Sequence, residues 1–210
     1  MSITVEPTLD SAVEAVIAAG RLAAARGWIP ATAGNFSVRA GKIIAITRTG
    51  RDKGQLRPED IAIVSLAAPC ENDLSAEAVL HFARYTADSQ VGAVFHVHMP
   101  IAAVLGRRYA ANCQLILDGW ELQKAFTGVK SHLTPVRVPI LHNDQDIQAL
   151  AAVAERELGS ERDGAITAPG YLIAGHGLYA WGRTPGDAQR HLEAFEALLT
   201  LHKHWSEFPS

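Results

Sequence analysis

The sequence predicts an α/β protein built on a central mixed, mainly antiparallel sheet with helices on both faces, a three-layer α/β/α arrangement. Three observations carry this expectation. Helical and strand periodicities alternate along the chain instead of segregating into blocks. Several neighbouring strands are joined by turns far too short for a parallel crossover, which takes about a dozen residues or more. The chain has 210 residues, 48% hydrophobic and 20% charged, an ordinary globular composition long enough to bury roughly 70% of its unfolded surface. One domain over residues 1–210 is expected, without repeats or low-complexity segments.

The elements follow in order. Val13, Val16, Ile17, Gly20 and Ala24 place small and apolar groups at helical spacing, which predicts a helix over about Leu9 to Arg26 ended by Gly27. Phe36–Arg39 and Ile43–Ile46 read as strands joined by the turn Ala40-Gly41-Lys42, and Ile61–Leu66 as a third strand. A helix is expected over Ala76–Asp88 with Ser75 near its N-cap, then a buried strand over Val91–Phe95. Pro100 starts a helix over Ile101–Gly106, and a further helix is expected over Trp120–Phe126. Val136–Val138 reads as a strand, and Asp144 as the cap of a helix reaching Leu158. Two short strands within Gly170–Trp181 flank Gly175-His176-Gly177. Thr184-Pro185-Gly186-Asp187 marks the start of the last helix, close to a capping box.

Net charge is −3 and no block of like charges occurs, so nucleic acid and membrane surfaces are not expected partners. No stretch approaches about 18 apolar residues, and the first residues lack a basic segment followed by an apolar run. The expected location is cytoplasmic. Cys70 and Cys113 sit in neither a CxxC nor a Cys/His pair, as expected of free thiols in a reducing compartment.

Of the nine histidines, His191, His202 and His204 fall on the last helix, where exposure is expected. His132 and His142 fall in loops, and His81 on the side of its helix that can face the sheet. His96 and His98 differ from these. They end an apolar strand one residue apart, and residues i and i+2 of an extended chain share a face, so two imidazoles can approach one cation. Alone, this pair fits a polar strand end equally well. His176 adds a third donor, with a glycine on either side to let the backbone turn tightly. Catalytic zinc takes three protein ligands and keeps one position open.

Two carboxylates are candidates for proton transfer. Glu77 is placed in the first turn of a helix, where it could instead only complement the helix dipole. Glu121 lies among Trp120 and Leu122, surroundings that could raise its pKa, or it could pair with Lys124 three residues on. An anion could be held by Ala33-Gly34-Asn35, by Thr47 to Gly54 and by Ser75-Ala76, whose small residues, hydroxyls and free N–H groups suit a phosphate cradle, with Lys53 as a point charge.

Taken together, Gly34-Asn35, Thr49-Gly50, Ser75-Ala76-Glu77, His96-Val97-His98 and Gly175-His176-Gly177 resemble the pattern of the class II aldolase/adducin superfamily, over about Gly27 to Gly182. The resemblance implies the class II aldolase-like fold and one zinc ion per subunit on His96, His98 and His176. It implies a substrate phosphate held by Gly34, Asn35, Thr49, Gly50, Lys53 and Ser75, and a fourfold-symmetric homotetramer with active sites at subunit contacts. The stretches Gly27 to Asn35, Asp52-Lys53-Gly54, Glu121-Leu122-Gln123-Lys124, Asn143 to Ile147 and His176 to Gly182 are most similar to a lyase branch that dehydrates a phosphorylated ketose. On that resemblance Glu121 is the acid/base, and Glu77 matches the proton-transfer carboxylate of the aldolases. Ala33 stands where serine is usual, and Val97 where threonine is common. A sugar-phosphate aldolase or epimerase is the competing activity on the same scaffold. A metal-free interaction module of the adducin type would have no use for the three histidines.

Overall fold

The computed structural model describes residues 7–67, 73–160 and 164–208. Cys70 lies outside them. The chain opens on α1 (Leu9–Ala25), where Thr8 Oγ1 accepts a hydrogen bond from the Ser11 amide at 3.2 Å and satisfies one of the free N–H groups of the first turn. Gly27 follows with φ +70 and redirects the chain. Strands β1 (Asn35–Ala40) and β2 (Ile43–Thr47) form a hairpin, and β3 (Ile61–Ser65) pairs antiparallel with β2. Next come α2 (Ala78–Ala87), β4 (Ala93–Val97), α3 (Pro100–Arg108) and β5 (Gln114–Leu117). The second half runs β6 (Val136–Leu141), α4 (Ile147–Leu158), β7 (Ile166–Thr167), β8 (Gly170–Ile173), β9 (Gly177–Gly182) and α5 (Pro185–Trp205).

The strands join in the order β3-β2-β1-β4-β9-β8-β6-β5, with β7 also on β6. Only β6 with β7 and β6 with β8 are parallel. The sheet is therefore mixed and mainly antiparallel, as the short turns require. Alternate residues of each strand serve two separate cores. Phe36, Val38, Phe95, Val97 and Leu178 pack with α1, α3 and α5, whereas Val94, Tyr171, Tyr179 and Trp181 pack with α2 and α4. That alternation puts Asn35, Ser37 and His96 on the α2 side, and a slip of one residue would turn them all to the other face.

Several expectations are corrected in detail. The helix expected over Trp120–Phe126 is one 3-10 turn, Glu121–Ala125, because Gln123 Oε1 accepts from the Trp120 amide at 2.8 Å while Gln123 Nε2 donates to the Thr134 carbonyl at 2.9 Å, tying it to the following loop. Helix α2 begins two residues later than its sequence suggests: Ser75 Oγ accepts from the Glu77 amide at 3.3 Å in a turn before the helix, and Glu77 is the cap residue, not part of the first turn. The cap of α4 is Asp146, whose Oδ1 accepts from Ala149, while Asp144 closes the preceding turn. Strands β5 and β7 were not foreseen, being only four and two residues long. His191 is buried rather than exposed. Its Nδ1–H donates to the Trp181 carbonyl at 2.6 Å and its Nε2 accepts from Thr127, which joins α5 to the end of β9.

Two glycines test the packing. A Cβ on Gly170 would lie 2.5 Å from the Phe195 ring and from the Tyr179 carbonyl, while one on Gly159, at φ −78, meets nothing closer than 3.6 Å. Gly170→Ala is expected to lower unfolding free energy by about 1–3 kcal/mol through overpacking. Gly159→Ala is expected to leave it unchanged or raise it by about 0.4–1 kcal/mol through the less flexible unfolded chain. Urea unfolding of both proteins checks the contrast.

Candidate metal centre and anion pocket

Strand β4 delivers His96, and His98 follows one residue past its end, on the same face. His176 comes from the tight turn between β8 and β9, which pairs with β4 so that His96 stands opposite Tyr179. Gly175 takes φ +70 in this turn, and a Cβ on Gly177 would sit 2.3 Å from the Val97 carbonyl. The glycines beside His176 thus permit the turn and the close approach of β9 to β4. Glu77 caps α2 and points at the same spot.

One ligand atom from each of Glu77, His96, His98 and His176 lies within 4.8 Å of all the others. His98 Nε2 is 3.0 Å from His96 Nε2 and 3.1 Å from His176 Nε2. Glu77 Oε1 is 3.0 Å from His176 Nε2, and Oε2 is 3.7 Å from His96 Nε2. His96 Nδ1–H donates to the Leu178 carbonyl at 3.0 Å, so its Nε2 carries a bare lone pair toward the cluster. Burial holds His96 neutral, well below the usual histidine range, against the pull of Glu77. Burial also lowers His98, with His176 adding to the effect. Neutral nitrogens facing one another across about 3 Å repel unless a cation or a shared proton sits between them, so three imidazoles and a carboxylate fit a divalent metal.

Burial pushes Glu77 up, but the hydrogen bond from His176 and the neighbouring imidazoles outweigh it and leave its carboxyl at about 2. Asn35 Nδ2 donates to Glu77 Oε2 at 2.9 Å. Tyr179 stacks on His96, ring centres 4.1 Å apart, and fixes the ring plane.

The cluster opens onto a cavity of about 220 Å³ lined by Gly34, Asn35, Thr49, Lys53, Ser75 and Glu77, together with Arg48, Thr47 and His98. Five of the six residues expected to hold an anion therefore meet beside the metal ligands. Gly50 turns the chain next to them at φ +69 without lining the cavity. Gly34 has φ +105, and a Cβ there would lie 2.5 Å from the His96 carbonyl, so the loop can cross β4 only as glycine. Lys53 is buried, which lowers its pKa, while Asp52 and Glu77 pull it back up. Arg48 adds a cation that the sequence pattern did not single out, although it precedes Thr49 directly. Its NH1 lies 3.6 Å from Asp73. Two larger cavities, of about 590 and 690 Å³, lie elsewhere and contain none of these residues but Ser75, at the rim of one. Chemistry, not volume, marks the site.

Glu121 stands apart. Its side chain is 72% exposed, bonded to Lys124 and 3.6 Å from His132. The bond from Lys124 lowers its pKa, so the expectation of a raised value among apolar neighbours is overturned for the single chain: Trp120 and Leu122 flank it in sequence but do not enclose it.

Residues 14–202 match the Class II Aldolase and Adducin N-terminal domain, and the chain belongs to that family. It is similar to curated relatives named methylthioribulose-1-phosphate dehydratase: 52% identical to that of Bradyrhizobium sp. strain BTAi1, over 96% of both chains, and 46% identical to that of Parvibaculum lavamentivorans, over 94% of this chain and 97% of the relative. Among solved structures, L-fuculose-1-phosphate aldolase from Thermus thermophilus superposes with a TM-score of 0.74 at 26% identity, covering 94% of this chain and 98% of its own. Among the described residues no helix is long and apolar enough to cross a membrane.

His81, buried on α2, has its pKa lowered to about 3 by burial, with Glu77 opposing. The unfolded chain takes up this proton near 6.5 and the folded chain near 3, so folding stability is whole above pH 6.5 and falls as pH drops through the window. In chelator-treated protein, His81→Gln should reduce the slope of unfolding free energy against pH by about 1.4 kcal/mol per pH unit between about pH 4 and 6. Urea titrations at stepped pH measure it.

Proposed function

We propose that this chain is a zinc-dependent hydro-lyase that converts 5-methylthioribulose 1-phosphate to 2,3-diketo-5-methylthiopentyl 1-phosphate, a step of methionine salvage, in the cytoplasm. The observation that carries the reading is the 52% identity to a methylthioribulose-1-phosphate dehydratase over 96% of each chain, in a protein whose His96, His98, His176 and Glu77 converge beside a polar cavity. Residues 1–210 act as one class II aldolase-like domain.

The three Nε2 atoms hold one zinc per subunit and leave a coordination position for substrate. When bound, the ion supplies Lewis acidity that withdraws charge from the substrate's C2 carbonyl while the neighbouring C3–H is ionised. The phosphate is held by Gly34, Asn35, Thr49, Gly50 and Ser75, with Lys53 as the nearby cation. A carboxylate takes the C3 proton, and a proton is returned to the C4 hydroxyl as it departs, so one water leaves per turnover and the enol left across C3 and C4 tautomerises to the 2,3-diketone.

Glu121 is the proposed acid/base, and it serves the cluster of a neighbouring copy. Leu122, Leu133 and Trp205 are exposed around the Glu121 turn, apolar groups suited to a subunit contact. The assembly is a homotetramer whose sites lie between subunits. Enclosure by a partner would also give Glu121 the dry surroundings it lacks in the single chain. Glu77 supports the site as a substrate contact and hydrogen-bond acceptor beside the histidines. The rival reading, a sugar-phosphate aldolase, draws on the position of Glu77 at the cluster itself and on the likeness to L-fuculose-1-phosphate aldolase.

Assay with methylthioribulose 1-phosphate beside fuculose and ribulose phosphates separates the two. Dehydration of the first is expected, with turnover falling about 10²–10⁴-fold in Glu121→Gln and less in Glu77→Gln. Carbon–carbon cleavage of a sugar phosphate with Glu77 dominant supports the aldolase, and near-normal dehydration by Glu121→Gln removes that residue from the chemistry.

A further inference from the structure

Behind the metal cluster a hydrogen-bonded chain runs into the layer between the sheet and α2. Glu77, His81 and Tyr85 follow at four-residue spacing on one face of α2, while Asn35 and Ser37 alternate on the facing side of β1. Asn35, Ser37, His81 and Tyr85 are all buried. The direction of every link follows from its end. Asn35 Nδ2 lies 2.9 Å from Glu77 Oε2, and an amide NH₂ can only donate, so the carboxylate accepts. Asn35 Oδ1 must then accept, and the group facing it is His81 Nε2, which therefore carries the ring proton. The opposite nitrogen, Nδ1, must accept, and Ser37 Oγ donates to it at 2.7 Å. Ser37 Oγ lies 2.9 Å from the Tyr85 hydroxyl, which satisfies it in turn.

We propose that His81 is a positioning residue: through the Asn35 amide it holds the Glu77 carboxylate in its orientation on the histidine cluster. An asparagine side chain can turn end for end at little steric cost. Turned, it would present Oδ1 to the carboxylate and drive Glu77 away from His176. The Nε2–H of His81 forbids this, because an NH₂ group cannot accept it. Ser37 Oγ, 2.7 Å from Nδ1, can donate to that tautomer from behind. The edge of His81 also meets the face of Tyr179, ring centres 5.6 Å apart, and Tyr179 stacks on His96, so the same ring sits behind both the carboxylate and a ligand imidazole.

The inference rests on the proposed role of Glu77 and the histidines, and its test has an arm independent of activity. Side-chain nitrogen NMR of the zinc-loaded, ¹⁵N-histidine protein should show His81 neutral and protonated on Nε2. An Nδ1–H tautomer would overturn the proposal whatever the protein catalyses, and absence of dehydratase activity with the Nε2–H tautomer present would overturn only the reading of function. In kinetics, His81→Leu should lower kcat by about 10–100-fold with KM and zinc content unchanged. Added to Glu77→Gln, it should cost nothing further, because its effect passes through that carboxylate. Losses that multiply in the double variant would show that His81 acts elsewhere. If His81→Leu does not fold, Ser37→Ala, which removes the donor to Nδ1 together with the hydroxyl's contacts to Tyr85 and the Val94 carbonyl, carries the same double-variant comparison.

Discussion

Everything at the site depends on three imidazole nitrogens and a carboxylate brought within 4.8 Å of one another. Such a cluster is unfavourable on its own, since ring nitrogens about 3 Å apart present lone pairs to each other and burial resists protonating His96 and His98. Folding must therefore hold it by force of the surrounding structure. Antiparallel pairing of β4 with β9 sets His96 and His176 together, and the covered faces of the sheet keep both strands from shifting. The glycines at 34 and 177 let backbone pass where any side chain would collide with the β4 carbonyls.

The same register arranges the surroundings of the ligands. Residues on the α2 side of β1 and β4 form a polar group between the sheet and α2, beside the second core: Asn35 and Ser37 face His81 and Tyr85, and His96 faces Tyr179. The side chains of Glu77, Asn35, His81, Ser37 and Tyr85 are linked to one another by hydrogen bonds, which is the condition for keeping such groups inside a protein. On the open side, short loops bring hydroxyl, amide and cationic groups into one small cavity that shares Glu77 and His98 with the cluster. Anion and metal thus fall within reach of a single small substrate.

Much of this was legible in the sequence. The HxH spacing at a strand end and the glycine-flanked His176 specify a converging set because strand alternation is rigid, and the hairpins gave away an antiparallel sheet. The residues that line the cavity beside the histidines could be named in advance from their chemistry, although only the fold could show that Gly50 stands back and Arg48 comes forward. The 3-10 turn at Glu121–Ala125 was hidden because the bonds that stop it from becoming a helix run to Thr134, outside any local window. The exposure of Glu121 in the single chain was hidden for the same reason: apolar neighbours in sequence do not enclose a side chain that projects from a surface turn. The burial of His191 was likewise invisible, since it depends on which helix face meets the sheet, whereas His81 falls on the side of its helix that can face the sheet.

The central claim is that the histidines at 96, 98 and 176 together hold a zinc ion. Zinc-edge X-ray absorption of the purified protein tests it most directly. The account predicts one ion per chain, with three imidazole nitrogens at about 2.0–2.1 Å and remaining scattering from oxygen. A first shell containing sulfur at about 2.3 Å, or one with fewer than three imidazoles, would contradict it.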